Sequence, residues 1–111
     1  MSAGEVLFDS ELKMMEILWR EGELPARRVA DIMSEQEGWN INTTYTVLRR
    51  LVAKGIIERG DPGFNCRAAL TRRQAQIGEI DRLVDRMFDG SYDCLLELLL
   101  DCRRCGGRTE G

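Results

Sequence analysis

Asn42-Thr43-Thr44-Tyr45-Thr46-Val47-Leu48-Arg49-Arg50-Leu51-Val52-Ala53-Lys54-Gly55 is the stretch on which the reading of this chain turns. Val47, Leu48, Leu51 and Val52 recur at helical spacing, Asn42 is suited to cap the N-terminus, and Gly55 to end the last turn. The first turns are rich in hydroxyls. Thr43, Thr44, Tyr45 and Thr46 can donate to or accept from phosphates and base edges, while Arg49, Arg50 and Lys54 bring cations further along the same element. This is the profile of a helix that reads DNA. A surface helix with a few β-branched residues is the plainer alternative, and the stretch alone leaves both open.

The neighbouring residues separate the two. Ile56-Ile57-Glu58-Arg59 can form a strand, Gly60-Asp61-Pro62-Gly63 a turn, and Phe64-Asn65-Cys66-Arg67-Ala68 a returning strand. A recognition helix that runs into a β-hairpin describes a winged helix-turn-helix. Upstream, Asp9 or Ser10 can cap a first helix through about Arg20. Its Leu12, Met14, Met15, Ile17, Leu18 and Trp19 cover more than half the circumference, leaving Lys13, Glu16 and Arg20 as the solvent strip. Gly22-Glu23-Leu24-Pro25 breaks that helix, and Ala26 to about Gln36 forms a second one that buries Val29, Ile32 and Met33. Trp39 is placed to close the core before the recognition helix begins.

Charge is distributed as this reading requires. The formal net charge is −3, with 43% hydrophobic and 32% charged residues, which suits a folded domain in water. Residues 1–41 hold four basic and nine acidic side chains, residues 42–73 seven and two, and residues 74–111 five and eight. Positive charge is thus concentrated on the helix and hairpin expected to meet phosphates. With no histidine, no glycine-rich phosphate loop and no convergent acidic pair, an enzyme is not expected. A module that binds protein through the same helix is the competing class. No signal peptide or membrane span is read, so a cytoplasmic location is expected.

The C-terminal third is helical and unusually apolar. Arg72 to Asp89 reads as a long helix with Ile77, Ile80, Leu83, Val84, Met87 and Phe88 on one stripe, interrupted by Asp89-Gly90-Ser91. A last helix from Tyr92 to about Arg103 presents Leu95, Leu96, Leu98, Leu99 and Leu100, more surface than one neighbour can cover. The economical explanation is a homodimer interface through Ile80, Leu83, Val84, Met87, Phe88, Leu95, Leu96 and Leu99; an intrachain hairpin folded onto the first domain is the alternative. The expected fold is mainly α with a small β-hairpin: a winged helix-turn-helix domain over 1–71, a helical dimerisation region over 72–105, and a disordered tail over 106–111.

At this point the residues resemble the BlaI/MecI/CopY family of bacterial winged-helix repressors. The likeness runs over roughly residues 8 to 100. Glu11-Leu12 with Met15-Glu16-Ile17-Leu18-Trp19 is similar to the family's first helix. Thr43 with Thr46-Val47-Leu48, Arg50-Leu51 and Lys54-Gly55 is similar to its recognition helix, and Phe88-Asp89-Gly90-Ser91 to its C-terminal helix junction. The resemblance implies a homodimer on a pseudo-palindromic double-stranded DNA operator, with Thr43, Tyr45, Thr46 and Arg50 facing the major groove or its flanking phosphates. Where the family usually carries Gly-Arg in the wing and Tyr in the returning strand, this chain has Gly63-Phe64 and Ala68. Arg67 is then the expected wing cation. The Asn-Phe pair at which resistance repressors of the family are cleaved is missing, so release by that route is not expected.

Cys102-Arg103-Arg104-Cys105 is the second unusual feature. Copper-responsive members of the family carry C-terminal cysteines, usually as Cys-x-Cys pairs, so the likeness here is one of position. Cys102 and Cys105 lie one helical turn apart, or adjacent around a loop, and can share a soft ion, Zn(II) or Cu(I), as an effector. Cys94 sits about 12 Å away along an unbroken helix, so a four-thiolate site needs the second subunit or Cys66 from a wing. The alternatives are a thiol redox switch, or two surface thiols with Cys66 and Cys94 as small packing residues.

Overall fold

Glu11 starts the first helix. In the computed structural model, which describes residues 7–104, α1 spans Asp9–Glu21 and the Glu11 carboxylate accepts the Phe8 N–H at 3.0 Å. The chain therefore caps α1 from its third position, and neither Asp9 nor Ser10 does so. Met14, Met15, Ile17 and Leu18 of α1 are buried, but Leu12 is exposed. It lines a cleft shared with Trp19 and Ile80 instead of entering the core.

The chain reverses at Gly22 into a two-residue strand, β1 (Leu24–Pro25), then α2 (Ala26–Glu37) and α3 (Ile41–Ala53). Gly38 ends α2 with φ +71°, its N–H donating to Ser34 O at 3.0 Å; a side chain there would be strained. Strands β2 (Ile57–Gly60) and β3 (Asn65–Ala68) complete a three-stranded antiparallel sheet of order β1-β3-β2. The third strand is a correction to the sequence reading, which treats Leu24-Pro25 only as a helix break. Two residues are too few to show alternation, and proline, lacking an N–H, fits only at a sheet edge such as β1. Leu24 stands opposite Cys66 and Pro25 opposite Asn65, while Ala26 N–H donates to Phe64 O at 2.7 Å. The wing is thereby tied to the start of α2. A single core, including Met14, Met33, Leu48, Leu51, Ile56 and Ile57, fills the space between the three helices and the sheet.

Helix α4 (Arg72–Met87) opens on a reciprocal cap: Thr71 Oγ1 accepts Gln74 N–H at 3.0 Å and the Gln74 side chain accepts Thr71 N–H at 2.9 Å. Its first residue fastens it to α1. Arg72 bonds Glu16 at 2.7 Å and lies 5.1 Å over the Trp19 ring, whose Nε1–H donates to Leu70 O at 2.9 Å. Asp89 and Gly90 take positive φ and turn the chain into α5 (Tyr92–Arg104), which Ser91 caps by accepting Cys94 N–H at 3.2 Å. Tyr92 hydroxyl bonds the Asp81 carboxylate, which pushes the phenol pKa up.

Val84 is fully buried in the single chain, which corrects its assignment to an open dimer face. The α4–α5 corner folds back on it, with Phe88 and Gly90 N–H both donating to Val84 O at 3.0 Å. Phe88 and Leu95 are half-buried at the same corner. Ile80, Leu83, Met87, Leu96 and Leu99 are exposed, Met87 to 66% and Leu96 to 54%. The tail over 106–111 lies outside the described residues.

Candidate nucleic-acid interface

Helical phase sorts the residues of α3 into two faces. Thr44, Val47, Leu48 and Leu51 point into the core, and Asn42, Thr43, Thr46, Arg49 and Arg50 stay on the surface. Thr44 is 0% exposed, so it cannot meet a ligand with Thr43, as its hydroxyl suggests from the sequence. Its Oγ1 has no hydrogen-bond partner among the described residues. A buried, unpartnered hydroxyl costs about 1–3 kcal/mol. Thr44→Val, which keeps the shape, is accordingly expected to raise the thermal midpoint while leaving the exposed face intact; a lowered midpoint would show that the hydroxyl is satisfied in solution.

The cap of α3 is Asn40, whose side chain accepts Asn42 N–H at 2.7 Å. From the sequence alone this role falls to Asn42, which the structure corrects. Asn40-Ile41-Asn42 offers two capping residues, and the earlier one takes the role because the helix begins at Ile41. Asn42 is left exposed in the first turn, where helix N–H groups and the dipole favour phosphate. Thr46 Oγ1 donates back to Asn42 O at 3.0 Å, so its lone pairs are what it offers outward.

Two clamps hold α3 from opposite sides. On the wing side, the Tyr45 ring meets Phe64 edge to face at 6.1 Å, Arg49 lies 5.7 Å from the Tyr45 centroid, and Arg59 lies 4.2 Å from that of Phe64. Alternating cations and rings thus join helix and hairpin. Phe64, which stands where the family usually has a wing arginine, is the residue that makes this ladder. Arg59 shares the strand face of buried Ile57, and that alternation was the signal by which the sequence could have assigned it. Arg67 projects from the other face, directly opposite Glu58, with which it forms an ion pair that raises its pKa. The expected wing cation is therefore already matched by a carboxylate, and Arg59 is the cation beside α3.

On the other side, Glu11 receives Arg50 Nε at 2.9 Å and Lys54 Nζ at 3.1 Å as well as Phe8 N–H. Lys54 also lies 5.3 Å from the Phe8 centroid. Burial by itself raises the Glu11 pKa; the hydrogen bonds from Phe8, Lys54 and Arg50 outweigh it and hold the carboxyl below the ordinary glutamate value. A depressed carboxyl contributes stability above its unfolded pKa and loses it as pH falls through the folded one, so this clamp weakens only in acid. Arg50 and Lys54 therefore carry one buried negative charge between them. Nothing in the local sequence marks Glu11 for this role, because its partners lie 39 and 43 residues away.

The cysteines divide differently from the sequence reading. Cys66 is fully buried and its thiol is pushed up to about 11 by that burial, so it is not available to complete a thiolate site. Cys94 and Cys102 are exposed on α5, which removes Cys94 from the packing residues. Cys105 lies outside the described residues, and among the described residues no cluster of potential metal ligands forms.

Three helices packed on a small sheet, with an exposed hydroxyl and arginine face on the third helix and a hairpin clamped beside it, define a winged helix-turn-helix protein. Residues 7–105 match the sequence profile of the penicillinase repressor family, and the chain belongs to that family. It is 29% identical over 55 residues to the penicillinase repressor of Bacillus licheniformis, covering 50% of this chain and 43% of that one. An uncharacterised 16.5 kDa protein from the ptsI 3′ region of Latilactobacillus sakei is 27% identical over 94 residues, 83% of this chain and 64% of that one. The chain thus spans less than two thirds of either relative. The solution structure of the DNA-binding domain of the repressor BlaI superposes with a TM-score of 0.58 at 23% identity, over 64% of this chain and 92% of that domain.

Proposed function

We propose that the chain is a transcriptional repressor that acts as a homodimer on an operator of two inverted half-sites, each read by α3 in the major groove with the wing against the flanking backbone. The observation that carries this reading is the exposed face of α3, where Asn42, Thr43, Thr46 and Arg49 lie between two clamps that fix the helix relative to its surroundings. In the same reading residues 1–71 are the DNA-binding head, and α4 and α5 are the dimerisation arm. The family's regulators and the fold of the BlaI domain support it. No helix among the described residues is long and apolar enough to cross a membrane.

The test begins with DNA selected from a random pool by the purified protein, followed by anisotropy titrations across a range of salt. Affinity is expected to fall with a log–log slope of about −0.9 per phosphate neutralised. Tyr45→Ala and Arg49→Ala should each weaken the selected sequence by about 1–3 kcal/mol. A protein-binding module would show neither a selected sequence nor that slope, and unchanged affinity in both variants would remove α3 from the interface.

A further inference from the structure

We infer that Glu11 is a positioning residue for DNA discrimination: through Arg50 Nε it aims the arginine's terminal amines outward, and by neutralising one of two neighbouring cations it suppresses binding to unselected DNA. The inference rests on the repressor reading above and concerns how the same surface separates its operator from other sequences.

The cap of α1 does not require a charge. Phe8 N–H needs one acceptor, which a neutral glutamine could supply, and a fully buried carboxylate is costly unless paired. Its second oxygen instead reaches across to α3 and gathers Arg50 and Lys54, the two cations on the edge of that helix away from the wing. Arg50 gives it only Nε–H. Among the described residues its two terminal amines have no other partner, and the side chain remains 42% exposed. A guanidinium held by Nε against a buried carboxylate keeps a rigid two-pronged face toward solvent, the geometry that a guanine edge or a phosphate accepts. Free, the same side chain would have to be ordered on binding, at a cost that the clamp removes in advance.

Charge gives the second half. Arg50, Lys54 and Glu11 together present +1 where the helix alone would present +2. Unselected DNA is held almost entirely by such charge, so the carboxylate lowers that background while sharpening the oriented contact.

Glu11→Gln, Arg50→Lys and the double variant test this, with selected and scrambled duplexes titrated at several salt concentrations. In Glu11→Gln, scrambled-DNA affinity is expected to rise and the salt slope to steepen by about one. The ratio of selected to scrambled affinity should fall by about tenfold, the size of one lost base contact. Arg50→Lys keeps the charge but has no Nε to brace; it should lower the ratio similarly without changing the slope. The double variant should lose no more of the ratio than Arg50→Lys alone, because the orienting effect runs through one contact and the added charge strengthens both duplexes alike. A merely structural Glu11 would weaken both duplexes together and leave the ratio unchanged, which overturns the inference. Additive losses in the double variant, or a wild-type ratio in Arg50→Lys, overturn it too, the latter even if Glu11→Gln fails to fold. If wild type binds neither duplex in a salt-dependent way, the repressor reading itself fails, a distinct result.

Discussion

A chain carrying Leu96→Glu and Leu99→Glu is expected to sediment as a monomer and to lose selected-DNA affinity by about 10²–10⁴-fold, the gain that two linked half-site contacts supply. Both leucines are more than half exposed on α5 in the single chain and lie within one turn of each other. Ile80, Leu83, Met87, Leu96 and Leu99 all leave apolar side chain exposed in the single chain, the kind of surface that marks an interaction site when it is contiguous. A carboxylate placed in the proposed interface would be buried unpaired, which association cannot offset. The head should keep its own thermal transition, since neither residue belongs to its core. Sedimentation velocity decides the matter: an unaltered dimer would place the interface elsewhere.

Leu48→Ala should act on the opposite end of the molecule. Leu48 is 0% exposed on the inner face of α3 and joins the cluster formed with Met14, Met33 and Leu51. Truncating a buried leucine removes its transfer energy and leaves a cavity, at about 2–5 kcal/mol. For a domain of this size that lowers the midpoint by about 10 °C or more. Calorimetry on the two variants should therefore separate the head, destabilised by Leu48→Ala, from the arm, altered by the paired leucine substitutions. A midpoint within a degree or two of wild type would mean that α3 packs less tightly than its burial indicates.

The helices and the hairpin were legible because their signals are local. Val47, Leu48 and Leu51 state a helical period by themselves, and Gly60-Asp61-Pro62-Gly63 states a turn. What escaped depends on contacts between distant segments or on phase. Thr43 and Thr44 are chemically identical neighbours, and only the rotation of α3 against the core sends one outward and the other inside. Arg59 and Arg67 differ in the same way across one hairpin: the strand face decides which meets Phe64 and which meets Glu58. Glu11 reads as an ordinary acid in a helix's first turn until α3 brings Arg50 and Lys54 to it. Val84 belongs to an apolar stripe in sequence, but the turn at Asp89 and Gly90 closes over it and leaves its neighbours outside.

Arg72, fastened to Glu16 and lying over Trp19, is the only residue of α4 that is both ion-paired and ring-stacked to the head among the described residues. Mechanically it is a pivot, and the 16-residue helix that it opens is a lever about 24 Å long. A tilt of about 10° at the pivot displaces the far end of such a lever by about 4 Å, a tenth or so of the ~34 Å between successive major-groove half-sites. In the proposed dimer both levers meet at their far ends, so the two displacements combine. The gauge of the pair of recognition helices is then set at two arginines, far from any base they read.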